Sequence, residues 1–164
     1  FYGGEARWIY YARPRIAIEC VTGLTDRAIA RQPLVERGRV GHEKHAAPAY
    51  VLGERRAHLT FFRNAVGVLK LDREVPPLEV NLGGVKGLLL TWDPVMVDSL
   101  RARGGVVPDF PADLDGLLAT PSSVFRSMAW LQPEKLRRFY FDQVNEPEQE
   151  ALLLQRSREA NAGG

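Results

Sequence analysis

One cysteine, Cys20, and three histidines, His42, His45 and His58, are all the chain has of two residue types that build many metal sites. A lone cysteine excludes an intrachain disulfide and a cysteine-rich metal centre. It leaves the redox compartment open, because a chain able to bury a good core needs no covalent staple. Long apolar runs are scarce as well: "GLLLTW" at 87–92 is strand-sized, far short of the roughly eighteen residues that cross a bilayer. The piece is therefore expected to be soluble. Glycines occur in "GEAR" and "LGGVKG", but in neither the P-loop nor the dinucleotide pattern, so no NTP or NAD site is indicated. A G-x-S-x-G elbow, a zinc finger and an RNA-binding signature are missing too. No cofactor, no metal and no nucleic-acid partner are expected. The chain opens on Phe1 rather than Met, with no signal-like apolar region ahead of it, and is expected to be a fragment or a processed product.

What is present fits a globular chain. A length of 164 residues favours one domain over two and allows a sizeable core. We expect a single domain over 1–164, sheet-rich over 1–92 and helix-rich over 93–160. The apolar share of 45% beside 26% charged residues excludes disorder as the reading of the whole. The net charge is only +2, but residues 1–60 carry ten Lys/Arg against six Asp/Glu, whereas 61–120 carry six against eight. Basicity thus gathers in the first third, where it could face an anionic partner.

Local patterns predict an α/β fold: a mixed sheet with packed helices and a mostly helical C-terminal third. "ARWIYY" (6–11), "RIAIECV" (15–21), "AHLTFF" (57–62), "VGVLKL" (66–71), "LEVNL" (78–82) and "GLLLTW" (87–92) read as strands. Gly83–Gly84 between the last two is a hairpin signal. "GLTDRAIARQP" predicts a helix with Thr25 as N-cap, Asp26 favourable at its positive end and Pro33 as its stop. "APAYVLGERR" (47–56) predicts a short helix with Pro48 in its first turn. The clearest helix is "WDPVMVDSLRARGG", with Asp93 as N-cap, Pro94 at the first position and Gly104–Gly105 as the stop. "VVPDF" suggests one more short strand. Beyond it, Pro111, Pro121, Pro133 and Pro147 each fit the first turn of a new helix.

The segment "RGRVGHEKHA" (37–46) concentrates Arg37, Arg39, His42, Glu43, Lys44 and His45 between glycines. Such a loop is either solvated surface or a grip on an anionic or sugar-like group, since carboxylates and His/Lys donors read hydroxyls and phosphates directionally. Asp26 could join it, or serve only its helix start. His42 and His45 are three apart but lack an evident third ligand. Cys20, in an apolar strand, fits an inert core thiol. "MAWLQPEKLRRFYFDQV" (128–144) interleaves Trp130, Phe139, Tyr140 and Phe141 with Arg137 and Arg138, a mix able to stack sugars or bases. Yet Leu136, Phe139 and Tyr140 fall at i, i+3 and i+4, the core-facing spacing.

The stretch "AIECVTGLTDRAIARQPLVERGRVGHEKHAAPAYVL" (17–52) resembles the extracytoplasmic C-terminal domain of bacterial polytopic membrane proteins with a glycosyltransferase-C architecture, similar to the mycobacterial arabinofuranosyltransferases. The matching positions are Glu19, Gly23, Leu24, Thr25, Asp26, Ile29 and Ala30, then Gly41, His42, Glu43 and Lys44. Glu19 departs from the Asp expected there, and the likeness covers about the first 60 residues. It implies a parent protein that transfers a sugar from a polyprenyl-phosphate donor outside the cell membrane, with its catalytic carboxylate in a membrane half absent from this chain. The piece itself would then not turn over, and no catalytic residue is assigned within it. It would face the periplasmic side, partner that membrane half, with the membrane surface as a further partner, and hold the glycan acceptor or the polyprenyl-phosphate sugar through Asp26, Arg37, Arg39, His42, Glu43 and Lys44. A stand-alone carbohydrate- or phosphate-binding module, and a small hydrolase using Asp26, His42 and Glu43, are the alternatives.

Overall fold

The computed structural model describes residues 2–3, 17–19, 26–34, 37, 44, 46–61 and 70–162. The expected strand at 6–11, Cys20, and most of the expected strand at 66–71 lie outside them. The fold is α/β, built on a mixed sheet in the order β2-β1-β3-β5-β4. Strand β1 (Tyr2–Gly3) runs parallel to β2 (Ile18–Glu19) and β3 (Leu59–Thr60). β3 then pairs antiparallel with β5 (Val85–Leu89), which pairs antiparallel with β4 (Glu79–Leu82). The β4–β5 connection is the expected hairpin. Gly83 and Gly84 have φ of 61° and 88°, the left-handed values that a two-residue hairpin turn requires at both positions and that glycine adopts without strain. Gly87 has a different task. A Cβ there would stand 2.9 Å from the Phe61 ring and 3.0 Å from the Thr60 carbonyl, so its missing side chain admits the close approach of β3.

Helix α1 is Arg27–Ala30, followed after a long connection by a π-helical turn over Ala49–Glu54 that Pro48 opens. The helix expected over 47–56 therefore forms with wider winding. α2 (Pro94–Ala102) starts as its sequence dictates: the Asp93 carboxylate accepts from the Met96 amide at 3.1 Å, with Pro94 in the first turn. It stops at Gly104, φ 81°. α3 (Phe110–Leu118), α4 (Ser122–Ser127), α5 (Pro133–Leu136), which runs into a π-helical turn Arg137–Phe141, and α6 (Pro147–Ala162) complete the helical third. Each begins at or beside its proline.

Three local expectations give way. Lys70 takes a left-handed φ of 52° and Leu71–Arg73 form a 3-10 turn, so the end of "VGVLKL" is not strand. Leu71 is fully buried in that turn; its apolar side chain is used for the core and not for a sheet. "VVPDF" supplies one antiparallel bridge, Val106 to Asn81, and no strand. The cap of α1 is Asp26 and not Thr25, as the side-chain bonds described below establish.

One hydrophobic cluster runs from Ile18, Ile29, Val51 and Leu59 through Leu89, Trp92 and Phe110 to Leu131, Phe139 and Leu153. Its centre is aromatic: Phe110 meets Phe139 edge-on at 5.2 Å and Tyr140 at 5.3 Å. The Trp92 amide donates to the Phe139 carbonyl at 2.8 Å, tying the exit of β5 to the helical third. The i, i+3, i+4 set Leu136, Phe139 and Tyr140 is buried, as its spacing predicts. Glu74 adds a polar tie, 3.4 Å from Lys135 and 3.1 Å from Arg138. Arg156 of α6 donates to the Leu118 carbonyl at 3.1 Å and to that of Thr120, covering the open end of α3. Replacing Phe139 by Ala removes a fully buried ring from the aromatic centre; a loss of about 3–5 kcal/mol is expected, seen as a lower urea midpoint with an unchanged denaturant slope.

Candidate functional site

The site grows from one carboxylate. Asp26 has an extended backbone (φ −122°, ψ 115°), which turns its side chain back over the first turn of α1. Oδ1 accepts the Ala28 amide at 2.9 Å and the Ile29 amide at 3.3 Å. The Tyr50 hydroxyl, in the first half of the π-helical turn, lies 2.8 Å from both oxygens. Arg55, just past that turn, brings Nε to 3.7 Å from Oδ2. Ile29, Val51 and Leu52 are buried beneath, so both segments that contribute to the cluster are held from below by the core.

The backbone closes this arrangement with a strained residue. Arg56 adopts φ 47°, a left-handed conformation that costs a non-glycine residue about 1–2 kcal/mol. This reversal lets the Ala57 amide reach the Val51 carbonyl at 3.0 Å and the Arg55 amide reach that of Tyr50 at 2.9 Å, ending the turn and aiming the chain into β3.

Asp26 is 7% exposed, and burial pushes its carboxyl upward. The hydrogen bonds from Tyr50, Ile29 and Ala28 and the charge of Arg55 outweigh burial and hold it below the ordinary carboxylate range. Burial, the bond to Asp26 and the Asp26 charge raise the Tyr50 hydroxyl, which stays protonated and donates. Around this pair opens a recess of about 670 Å³ lined by Asp26, Arg27, Ala28, Arg31, Tyr50 and Arg55. Among the described residues, three arginines therefore line it together with one carboxylate, which accepts from two amides of its own helix and from Tyr50.

Of the residues singled out in the sequence, Asp26 alone among the described ones lines the recess. Lys44 donates to the Ala30 carbonyl, at the far end of α1 from Asp26, where a cation completes a helix terminus. Arg37 is exposed. Arg39, His42 and Glu43 lie outside the described residues, as does His45. His58 keeps 44% of its side chain exposed and sits 3.6 Å from Asp93. Among the described residues no cluster of three His, Cys, Asp or Glu side chains could hold a metal ion, and no helix is long and apolar enough to cross a membrane.

Tyr50, Arg27, Arg31 and Arg55 escaped the sequence reading. The i, i+4 spacing of Arg27 and Arg31 directly after a capping Asp was the available signal; nothing local pairs Tyr50 with a carboxylate 24 residues away.

Tyr50→Phe removes a hydrogen bond to a buried charge and should destabilise the fold by about 1.5–3 kcal/mol, read from chemical denaturation at neutral pH. Because the carboxyl of folded Asp26 titrates below its ordinary value of 3.8, the stability it contributes is present above that value and lost as pH falls through the lower folded one. The gap between wild type and Tyr50→Phe should therefore narrow below about pH 4. No family model matches the chain, and neither the curated proteins nor the solved structures give a match.

Proposed function

We propose that this chain is an accessory domain on the extracytoplasmic face of a membrane-bound, glycosyltransferase-like protein that uses a polyprenyl-phosphate sugar, and that its recess holds the donor or the glycan acceptor. The observation that carries the reading is the coincidence of motif and site. Asp26, Ile29 and Ala30 belong to the stretch that resembles the glycosyltransferase-C proteins; Asp26 builds the recess, Ile29 seats α1 in the core, and Ala30 receives Lys44 of the same motif. The guanidinium lining suits a phosphate-bearing or hydroxyl-rich partner, because a planar fork of N–H donors matches such oxygens in pairs.

The chain would bind and orient, leaving the chemistry to the membrane half. A hydrolase reading has less support, since a general base needs a free oxygen, whereas Asp26 Oδ1 accepts from two amides, Oδ2 faces Arg55, and the Tyr50 hydroxyl lies against both. A stand-alone carbohydrate- or phosphate-binding module would use the same recess and differs only in what surrounds it.

Titration calorimetry of the purified chain against a short-chain polyprenyl-phosphate pentose in micelles, and separately against a neutral oligosaccharide acceptor, tests the reading. Saturable one-to-one binding of either is expected, weakened at least about tenfold by Arg55→Ala, the loss of about one charge-assisted contact. The reading is abandoned if neither ligand binds.

A further inference from the structure

The lining of the recess carries a charge imbalance that specifies its ligand more narrowly. Arg27 opens α1 and Arg31, four residues on, caps its end, a spacing at which like charges repel along a helix. Among the described residues neither has an ion-pair partner, and both line the recess. Arg55 is shared: its Nε lies 3.7 Å from Asp26, a loose contact made with 38% of the arginine side chain exposed, and its terminal nitrogens have no partner among the described residues.

The competing donors are already spent. The Ala28 and Ile29 amides point at Asp26, as does the Tyr50 hydroxyl, so those two amides and the phenol do not remain to hold an anion. Recognition falls to the guanidinium groups. Among the described lining residues, three positive charges face one carboxylate and leave two uncompensated there, in a space of about 670 Å³ that can admit more than a bare phosphate.

We infer that the recess recognises a phosphate monoester, a group carrying close to two negative charges at neutral pH, in preference to a singly charged diester. This names the ligand class of the site proposed above and rests on that reading for its setting. There, a polyprenyl-phosphate sugar is a diester. Transfer breaks the bond between the sugar carbon and the bridging phosphate oxygen, that carbon bonds the acceptor oxygen, the acceptor's proton passes to a base of the membrane half, and the oxygen left on phosphorus makes the carrier a monoester. The recess would hold the released carrier more tightly than the donor.

The probes are methyl phosphate and dimethyl phosphate, titrated into the full chain at low and at physiological salt. Methyl phosphate should bind at least about tenfold tighter, the worth of about one charge-assisted contact, with affinity falling as salt rises. In R27Q/R31Q the preference should shrink to within about twofold, while R126Q/R158Q, which leaves the recess intact, should keep it. Both lining arginines are exposed, so folding should survive; R27K/R31K, which retains charge without the paired donors, should keep part of the preference and covers the case in which the glutamine variant does not fold. Phosphatidylcholine vesicles doped with phosphatidic acid or with phosphatidylglycerol separate a lipid-borne monoester from a free one. Co-sedimentation with the first alone supports the same chemistry in a lipid, and equal co-sedimentation with both overturns it. Equal affinity for the two methyl esters, or a preference that R27Q/R31Q leaves intact, also overturns the inference even if the polyprenyl-phosphate sugar binds. A preference for methyl phosphate with no binding of that sugar or of the oligosaccharide would uphold the inference and remove the glycosyltransferase setting instead.

Discussion

A carboxylate withdrawn from water stays ionised only if its surroundings replace the hydrogen bonds and the charge compensation that water gave. Asp26 meets that demand with partners from two segments: the Ala28 and Ile29 amides of its own helix, and Tyr50 and Arg55 from a turn 24 or more residues further on. The arrangement therefore does more than cap a helix. It fixes α1 against the π-helical turn, and the wall of the recess follows. Arg27 and Arg31 are placed by α1, Arg55 by the end of the turn, and the left-handed Arg56 determines where that turn ends.

Labour within the site is divided by saturation. Asp26 and Tyr50 bond each other and serve as framework; the arginines, exposed and short of counter-charge among the described residues, are the groups that a ligand of the proposed kind would meet. Such a division suits binding better than bond-making, because a group already satisfied by its own chain is rigid but chemically quiet. The helical third contributes at a distance. None of its residues lines the recess among the described ones, yet Phe110, Phe139 and Leu153 complete the same hydrophobic cluster in which Ile29 and Val51 are seated.

How much of this was legible follows the range of the interactions. The Asp93–Pro94 helix start, the Gly83–Gly84 hairpin and the proline-led helices are written within four or five residues of chain, and each formed as read. Leu136, Phe139 and Tyr140 were legible because periodicity reports which face is buried. Lys70–Leu71 misled for the opposite reason: β-favouring residues describe a preference for a half-buried surface, and here the core took Leu71 from a 3-10 turn instead. Thr25 and Asp26 are adjacent capping residues of similar propensity, so the sequence marked Asp26 as a site candidate but left the cap ambiguous by one residue.

The sequence by itself determined the α/β class, the order of most described elements, the basic bias of the first third and Asp26 as a residue worth watching, because propensity, capping and periodicity act between near neighbours. Only the tertiary structure decided that Asp26 meets Tyr50 and Arg55, that Lys44 closes the far end of α1, and that Arg27 and Arg31 share one recess. Those pairings depend on how the core sets two remote segments side by side, and no local preference encodes a distance across the fold.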